Sequence, residues 1–502
     1  MPPSAVRRVL GSIPRLYPPN FLRVMVRIFL HLLRIAVSIL LLPLDNATLL
    51  AAYFVNHLSL PWSTVYRRRR SILKNPQFDP KTILITGVNS PQGLALARCW
   101  HYDGHRVIGA ELTDFPVRPG ESKSNTLAAF YDIAKPQYIY RLLEIIHREK
   151  VDLWIPCSEQ VDVLGDATVK QTIESRTDCR CVHLDPELAK RFGSSERLRR
   201  FLVEKDLPAV ENHEVQSRAS VHKVLHRSPG KAYVLWKPDP AGRNARPRDD
   251  SKDKALSLPK RTLSMTYSDV SEVHINKENP WVLQQQPRIG EFFAEMLVVR
   301  GSVKAITIRP GDKQSAWGSS RLDQGLANAI HRLMDRFAKK GGRRFTGHLC
   351  VHVMVDEEFE SNLVRHVVHI ADCRQGSASC KTLLQNPPST ITSGYLSLLS
   401  SPLTSEDSGD PNGTAYSEVE TTISAAPSST HNQVQLSGAL RPVPLLSLLT
   451  GTLEEVVQEA RQLPFWKDAR FSYLDPLPWW WHAHIYTPFH ELDQIFSRNP
   501  SE

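Results

Sequence analysis

The chain has 502 residues, of which 41% are hydrophobic and 23% charged, and its formal net charge is +10. This composition excludes bulk disorder, and the length allows two or three domains. Residues 1–70 hold ten arginines and one acid, so nine of the ten net positive charges lie there. Basic charge confined to an apolar segment indicates a membrane surface as partner and argues against nucleic acid.

The cysteines, seven in number, include no CxxC pair. An odd count without metal-ligand spacing excludes a zinc ribbon and a disulfide framework, and it favours a reducing compartment. We therefore expect each cysteine to be a small buried apolar residue.

Residues 1–70 are predicted to form a membrane-association segment. The stretch 21–60 is largely apolar but carries Arg23, Arg27, His31 and Arg34, which lie within roughly 80° of one another on a helix. Such a helix suits the lipid headgroup layer. The following apolar run is long enough to span a bilayer, although a proline and an aspartate interrupt it. Both arrangements, a span and an interfacial helix, stay open.

Four consecutive arginines, residues 67–70, follow the apolar stretch. A juxtamembrane basic cluster favours the cytosolic side for the chain after it. We therefore expect a membrane-associated protein whose remaining domains are cytosolic.

Residues 80–185 alternate apolar strands with amphipathic helices. Strands are predicted in TILITG, HRVIGAE, VDLWIPC and CRCVHL, and a helix in PQYIYRLLEIIHREK. This alternation is typical of a parallel, doubly wound α/β sheet.

The rest of the chain divides into three parts. Residues 186–386 change to a rhythm of helices and strand pairs, which predicts an α+β domain. Residues 387–440 are rich in Ser, Thr, Pro and Gly and are predicted to be mostly a flexible insertion. Residues 441–502 form a C-terminal extension with a predicted helix over 452–461 and a tryptophan run at 479–481. The run is expected either to pack against the protein or to lie at a membrane interface.

The turn TGVNSPQG after the first strand has two readings. A nicotinamide-binding turn needs glycine at three positions, which here hold Gly87, Pro91 and Gly93. The proline occupies the place where a side chain obstructs the pyrophosphate. Glu111 ends the second strand and suits a ribose hydroxyl, which keeps a reductase open. No Tyr-x-x-x-Lys pair follows, so a structural strand-to-helix turn is favoured.

The order of these segments, followed by LAKRFGSSERLRRFLVEKDLPAVENHEV, resembles the ATP-grasp superfamily in its carbamoyl-phosphate-synthetase and biotin-carboxylase-like branch. The resemblance covers roughly residues 80–385 and rests on the order of several weak motifs. It implies a Rossmann-like preATP-grasp domain that carries no dinucleotide, followed by an α+β ATP-grasp domain.

The resemblance implies a nucleotide site in two segments. YVLWKPDPAGR places Lys237 at a strand end before Gly242, and an ammonium beside a glycine loop suits phosphate oxygens. Lys304, on a later strand, is a candidate for catalysis.

WVLQQQPRIGEFF resembles the hinge strand and glycine turn that hold adenine and ribose in this superfamily. The resemblance assigns Gln285, Gln286 and Ile289 to the adenine pocket and Glu291 to the ribose hydroxyls. An ordinary β-hairpin with polar edges is the alternative.

The expected metal site lies in GHLCVHVMVDEE and VRHVVHIADCRQGSA. Where ATP-grasp enzymes hold Mg²⁺ with acids and an asparagine, this chain has His352, Asp372 and Arg374. Only Asp372 keeps the expected carboxylate, and imidazole is a poor magnesium ligand. The site is therefore expected to be reduced or rearranged, with Arg374 as a candidate for stabilising a transferring phosphoryl group.

The resemblance implies an ATP- and Mg²⁺-dependent carboxylate–amine ligase that works through an acyl phosphate, with a small carboxylic acid and an amine, such as amino acids, as substrates. The anchor and the insertion look like the fungal branch of the superfamily, which is associated with secondary-metabolite pathways. Two alternatives stay open, namely a catalytically impaired membrane-tethered scaffold and an NAD(P)-dependent reductase.

Overall fold

A computed structural model describes residues 19–59, 64–113, 115–228, 231–237, 256–259, 262–276, 280–287, 289–311, 322–360, 363–400, 421–423 and 469–496. The chain forms two compact units. The terminal unit combines residues 1–71, 113–127 and 431–502, and the central unit combines residues 72–112 and 128–430.

The described helices are α1 Pro19–Ser59, α2 Thr64–Lys74, α3 Pro91–Tyr102, α4 Tyr138–Glu149, α5 Val163–Arg176, α6 Pro186–Phe192, α7 Ser195–Glu204, α8 Arg218–Arg227, α9 Leu263–Glu272, α10 Gln324–Gly341, α11 Lys381–Gln385, α12 Ile391–Leu396, α13 Leu477–Trp481 and α14 Thr487–Phe496. A π-helical turn, His482–Tyr486, joins the last two.

The described strands are β1 Thr82–Thr86, β2 Arg106–Leu112, β3 Ala129–Ile133, β4 Leu153–Pro156, β5 Arg180–Cys181, β6 Asn212–Val215, β7 Ala232–Trp236, β8 Leu256–Leu258, β9 Trp281–Gln286, β10 Gly290–Val299, β11 Ser302–Pro310, β12 Gly347–Glu360, β13 Leu363–Gln375 and β14 Thr421–Ile423.

The first sheet of the central unit is parallel and has the order β3-β2-β1-β4-β5. It contains all four strands predicted in this region, and β3 was missed. The predicted helix is α4, which buries Leu142, Ile145 and Ile146 against the sheet. This spacing of three and four residues places the apolar side chains on one helical face. The predicted parallel α/β sheet is therefore confirmed.

The second sheet has the order β13-β12-β10-β11-β14, and its first four strands are antiparallel. Alternate residues of β10 and β12 enter one core together with α10, whose Ile330, Met334 and Phe337 are buried. Because side chains alternate between the two faces of a strand, the intervening residues face away from this core. That second face carries the polar residues of the candidate site.

The third sheet is small and antiparallel, with the order β6-β9-β7-β8. Its core of Tyr233, Leu235 and Leu283 packs with Val221 of α8 and Val270 of α9. The chain is thus a mixed α/β fold with one parallel sheet followed by two largely antiparallel ones, as predicted.

The start of the predicted flexible insertion is folded. Residues 387–400 include α12, in which Ile391 and Tyr395 are fully buried and the Tyr395 hydroxyl lies 2.6 Å from His348 Nε2. Apolar side chains within a Ser- and Thr-rich stretch explain this order, because their burial offsets the entropy of fixing the chain. The predicted helix over 452–461 lies outside the described residues.

The terminal unit brings the two ends of the chain together. Helix α1 packs along α13, the π-helical turn and α14. The tryptophan run belongs to this packing, since Trp479 is buried, Trp480 donates to Asn46 Oδ1 at 2.8 Å and Trp481 donates to the Arg118 carbonyl at 3.2 Å. Of the two expectations for the run, packing within the protein is the one observed.

One described helix is long and apolar enough to cross a membrane, over Ile28–His57, and only 6% of its most apolar window is buried. Length and composition alone do not distinguish a span from an interfacial helix.

Candidate active site

Residues of the neighbouring strands and loops fill the space beside the turn after β1. Gly87 has a φ of +75°, and a Cβ there would lie 2.2 Å from the backbone nitrogen of Ser158. The Glu111 side chain is buried and accepts a hydrogen bond from the Asn89 amide at 2.9 Å. The carboxylate that suited a ribose is therefore occupied by the turn, which supports the structural reading of this motif.

A line of polar and aromatic groups crosses the outer face of the second sheet. Phe293 of β10 lies opposite His352 of β12, which in turn lies opposite Asp372 of β13. The Phe293 and His352 rings stack with centroids 4.7 Å apart, and His352 Nε2 lies 3.2 Å from Glu291 Oε2. The sheet register thus brings together three of the predicted residues, Glu291, His352 and Asp372.

Two arginines border this line. Arg309 lies over the Phe293 ring at 4.5 Å, and its Nε lies 3.0 Å from Glu295 Oε1. Arg374 is exposed, with its Nε 3.9 Å from Asp372 Oδ2. Arg374 is therefore close to the predicted acid and accessible to a ligand.

Gln285 connects the small sheet to the second sheet. Its Nε2 donates to Asp356 Oδ2 of β12 at 2.6 Å, and its backbone amide donates to the Glu211 carbonyl at 2.9 Å. Its Oε1 is buried and accepts a hydrogen bond from none of the described residues. A buried acceptor left without a donor is costly unless a ligand supplies one. An adenine amino group has the required chemistry.

The remaining predicted nucleotide ligands are distributed more widely. Gln286 is half-buried and pairs with Ala232, while Ile289 donates its amide to the Val355 carbonyl and packs against the core. Lys237 is exposed directly after β7, as predicted for a strand-end lysine. Gly242 lies outside the described residues.

Lys304 does not join the group around His352. It lies on β11 beside Ala305, which pairs with Leu297, and its Cβ would be 2.9 Å from a Cβ built on Gly394. Phe293 is four residues along β10 from Leu297, so the separation is about 14 Å at the usual strand rise. The structure thus places Lys304 under α12, at a distance from the predicted ligands.

No group of three or more His, Cys, Asp or Glu side chains among the described residues is arranged to hold a metal ion. Glu291 is engaged with the His352 imidazole, and Asp372 lies opposite His352 on β13. Among the described residues, the predicted ligands His352 and Asp372 are therefore not part of a three-ligand group.

A cavity of about 410 Å³ opens at the carboxyl edge of the parallel sheet. Its lining includes Glu159, Asp162, Asp166 and Lys381, together with residues 375–378. The lysine Nζ lies 3.3 Å from Glu159 Oε1. Residues 375–378 follow Asp372 directly along the chain, so the cavity begins about 10 Å beyond that acid at the strand rise.

Asp166 is the distinctive group of the cavity. It lies in the first turn of α5, is 5% exposed and accepts a hydrogen bond from the Tyr138 hydroxyl at 3.0 Å. Burial raises the pKa of its carboxyl group to about 7. Burial also lowers the pKa of His183, another lining residue, to about 4, so that imidazole is neutral at pH 7. Perturbed acids in clefts mark candidate functional sites.

Sequence reasoning missed Asp166 because its unusual proton affinity depends on burial. A signal was nevertheless present, since an acid in the first turn of a helix after a parallel strand lies at the edge where such folds bind ligands. Lys231 and Tyr233 were also missed. Both contact Glu211, whose carbonyl accepts from Gln285.

No protein-family model and no curated protein matches this sequence. Solved structures do match it. The biotin carboxylase subunit of pyruvate carboxylase has 10% identity over 59% of this chain and 64% of that one, with a TM-score of 0.42. The L-amino acid ligase from Bacillus licheniformis has 13% identity over 60% and 68% of the two chains, with a TM-score of 0.35.

A third match is the N5-carboxyaminoimidazole synthetase from Staphylococcus aureus, with 10% identity over 61% of this chain and 76% of that one and a TM-score of 0.35. The chain spans less than two thirds of the biotin carboxylase subunit. At these TM-scores the likenesses do not decide an activity, which is argued below from the residues of this chain.

Proposed function

We propose that this chain is an ATP-dependent ligase that joins a carboxylic acid to an amine. The observation that carries the proposal is the continuity of β13. Its Asp372 lies beside His352 and Glu291 on the sheet face, and its last residue, Gln375, lines the acid-lined cavity together with residues 376–378. An acyl phosphate formed at the sheet face and an amine bound in the cavity would be neighbours.

Gln285 supports adenine binding at the sheet face. Its buried Oε1 accepts no hydrogen bond from the described residues, and its Nε2 is fixed by Asp356 at 2.6 Å. The amide is therefore held in one orientation and offers an acceptor to the adenine amino group. Exposed Lys237 would neutralise phosphate charge from the end of β7.

Magnesium would enter as part of the ATP complex, because Mg²⁺ commonly takes one or two carboxylates and completes its coordination with phosphates and water. The described residues include no group of three or more His, Cys, Asp or Glu side chains placed to hold an ion. We therefore assign no step of the reaction to a metal held by the protein.

The reaction has two steps. A carboxylate oxygen of the acid attacks the γ-phosphorus, and the bond to the ADP oxygen breaks, which gives an acyl phosphate. The amine nitrogen then attacks the acyl carbon, the bond to the phosphate oxygen breaks, and the nitrogen loses a proton. Arg374, exposed beside Asp372, would stabilise the charge on the transferring phosphoryl group.

The cavity suits the amine. Its three acids outnumber its one lysine, which favours a cationic ammonium group. Asp166, with a pKa of about 7, is divided between its two protonation states near neutral pH. Its carboxylate form would accept the proton that the nitrogen must lose, since general bases work best when their pKa is near the working pH.

A membrane-tethered scaffold is the second candidate. It is favoured by the engagement of Glu291 with His352 and by the lack of a three-ligand metal group among the described residues. The reductase is disfavoured, because Glu111 is buried and bonded to the turn it was expected to leave free. The cytosolic orientation and the setting in fungal secondary metabolism stay predictions from the arginine cluster and the resemblance.

ATP binding by the full chain in detergent or nanodiscs tests the proposal. Isothermal calorimetry with ATP and Mg²⁺ is expected to show binding. Gln285→Ala should weaken it by roughly 10-fold or more, which corresponds to the loss of one buried hydrogen bond. Gln216→Ala is the matched control, because Gln216 is an exposed glutamine after β6 of the same sheet.

Absence of ATP binding by folded wild-type protein would overturn the ligase and leave the scaffold. If ATP binds, release of ADP on addition of acid and amine mixtures measures turnover. Asp166→Asn should then keep the affinity for ATP and lose turnover. Equal loss of both would show that Asp166 does not act on the amine.

A further inference from the structure

Helix α1 has two faces with opposite chemistry. At 3.6 residues per turn, His31, Arg34, Ser38, Asp45 and Asn56 fall within roughly 60° of one another. Each contacts residues 474–491 of the same unit. We call these contacts the polar seam.

The polar seam joins α1 to the C-terminal segment in antiparallel order. In order along α1, the contacts are the ion pair of His31 with Glu491, Arg34 Nη1 to Glu491 Oε1 at 3.1 Å, Ser38 Oγ to the Ala483 carbonyl at 2.8 Å, Asp45 Oδ2 to His484 Nε2 at 2.7 Å and Asn56 Nδ2 to the Leu474 carbonyl at 3.4 Å. The ionisable residues His31, Arg34 and Asp45 of the apolar stretch therefore have partners within the protein.

The opposite face of α1 is apolar and uncovered within the described chain. Six large side chains within roughly 140° of one another on the helix are 56 to 78% exposed, namely Phe29, Ile39, Leu40, Leu44, Leu50 and Phe54. On α14, Phe489 and Phe496 are also exposed, while Glu491 is buried in the seam. An apolar surface of this extent marks an interaction site.

The length of α1 shows how it meets a bilayer. Its 41 residues extend about 60 Å, twice the thickness of the hydrocarbon core. The polar seam alone covers positions 31 to 56, or about 38 Å at the helical rise. Any span of about 20 residues through α1 would therefore carry Arg34 with its partner Glu491, or Asp45 with its partner His484, into hydrocarbon. Ionisable groups are costly there.

Charge in the same unit favours an anionic surface. Helix α2 carries Arg67, Arg68 and Arg70, all exposed, with Arg69 between them. Basic clusters next to an interfacial helix are attracted to anionic lipid headgroups.

We propose that α1 and α14, held together by the polar seam, form one monotopic surface that lies flat on an anionic lipid bilayer. The apolar face of α1 enters the headgroup layer over its whole length, and the C-terminal segment shields the polar face. This inference concerns the terminal unit and does not depend on the ligase activity.

Vesicle flotation of the full chain tests the partner. Binding to phosphatidylcholine vesicles with 30% phosphatidylserine should exceed binding to pure phosphatidylcholine. The double variant Leu40→Glu/Phe54→Glu should bind at least 10-fold more weakly. Val203→Glu is the control, since Val203 is 72% exposed but lies in the central unit.

Depth measurements distinguish a flat helix from a span. In a Cys99→Ser background, the six other described cysteines are buried, so fluorophores attached to Phe29→Cys, Leu40→Cys and Phe54→Cys report single positions. Quenching by lipid-attached nitroxides should place all three at one shallow depth.

Three results would overturn the inference. A label at position 40 near the bilayer centre with shallow labels at 29 and 54 would establish a span. Vesicle binding that the double variant leaves unchanged, or a lipid-independent dimer that the variant dissociates, would assign the apolar face to another partner.

Discussion

Glu111 and Asp166 are buried acids in the same parallel-sheet layer, yet their surroundings differ. Glu111 is the second-last residue of β2 and accepts a hydrogen bond from the Asn89 amide. Asp166 lies in the first turn of α5 and lines the cavity, with one hydrogen bond from Tyr138. Burial raises the pKa of Asp166 to about 7. The Asn89 amide thus gives Glu111 a structural role, whereas Asp166 lines the cavity and is accessible to a ligand there.

The largest expected effect on the free energy of unfolding comes from a substitution at Gly87, in the turn after β1. Gly87→Ala would place a Cβ 2.2 Å from Ser158 N at a φ of +75°, and should destabilise the protein by about 4 kcal/mol or more through clash and strain. Gly342→Ala is the matched control, because Gly342 has a φ of +79° but no atom within 4 Å of its built Cβ. Its φ of 79° and ψ of −176° lie in a region that residues other than glycine rarely adopt, so backbone strain alone should cost about 1–3 kcal/mol. Equal costs in denaturant unfolding would show that the Ser158 contact is unimportant.

The next effect concerns Asp166 and depends on pH. Its folded pKa of about 7 lies above the ordinary aspartate pKa of 3.8, so wild-type stability is lost as pH rises from about 4 through 7. Asp166→Asn removes this loss. The variant should be no more stable than the wild type at pH 4, and its free energy of unfolding should exceed that of the wild type by up to 4 kcal/mol, roughly, above pH 7. Denaturant melts at several pH values measure it. A gain independent of pH would contradict the raised pKa.

The smallest effect is expected at Glu111. Glu111→Gln keeps an acceptor for the Asn89 amide but removes its charge, which should cost about 1 kcal/mol. Glu144→Gln, on the surface of α4 and paired only with nearby Arg141 in the described contacts, should change stability by less than about 0.5 kcal/mol. If the wild type bound NADPH and the Glu111→Gln variant did not, the reductase alternative would be supported again.

The fold was predictable where the pattern is local. Strands β1, β2 and β4 are largely apolar runs because both faces of a parallel sheet are covered. Strand β3 was missed because, at the edge of the sheet, four of its five residues are only half-buried. The register of β10, β12 and β13 could not be read from the sequence, although it is what places Glu291 beside His352 and Lys304 elsewhere.

The site was predictable only in part for a related reason. Motif order led to Gln285 and Asp372, but Asp166 acquires its proton affinity from burial, which no local pattern specifies. The partnership of Asp45 with His484 was equally hidden, since 439 residues separate them. Composition suggested a membrane segment, and only the contacts reveal which of its faces is free.

The polar seam also has a consequence for biosynthesis. Asp45 leaves the ribosome long before His484 is translated, and at typical elongation rates of about 5–20 residues per second the interval is roughly 20 to 90 seconds. During that time α1 has neither its polar partners nor a protein surface over its apolar face. A nascent chain must therefore keep this helix on a lipid surface or a chaperone until the last part of the unit is made.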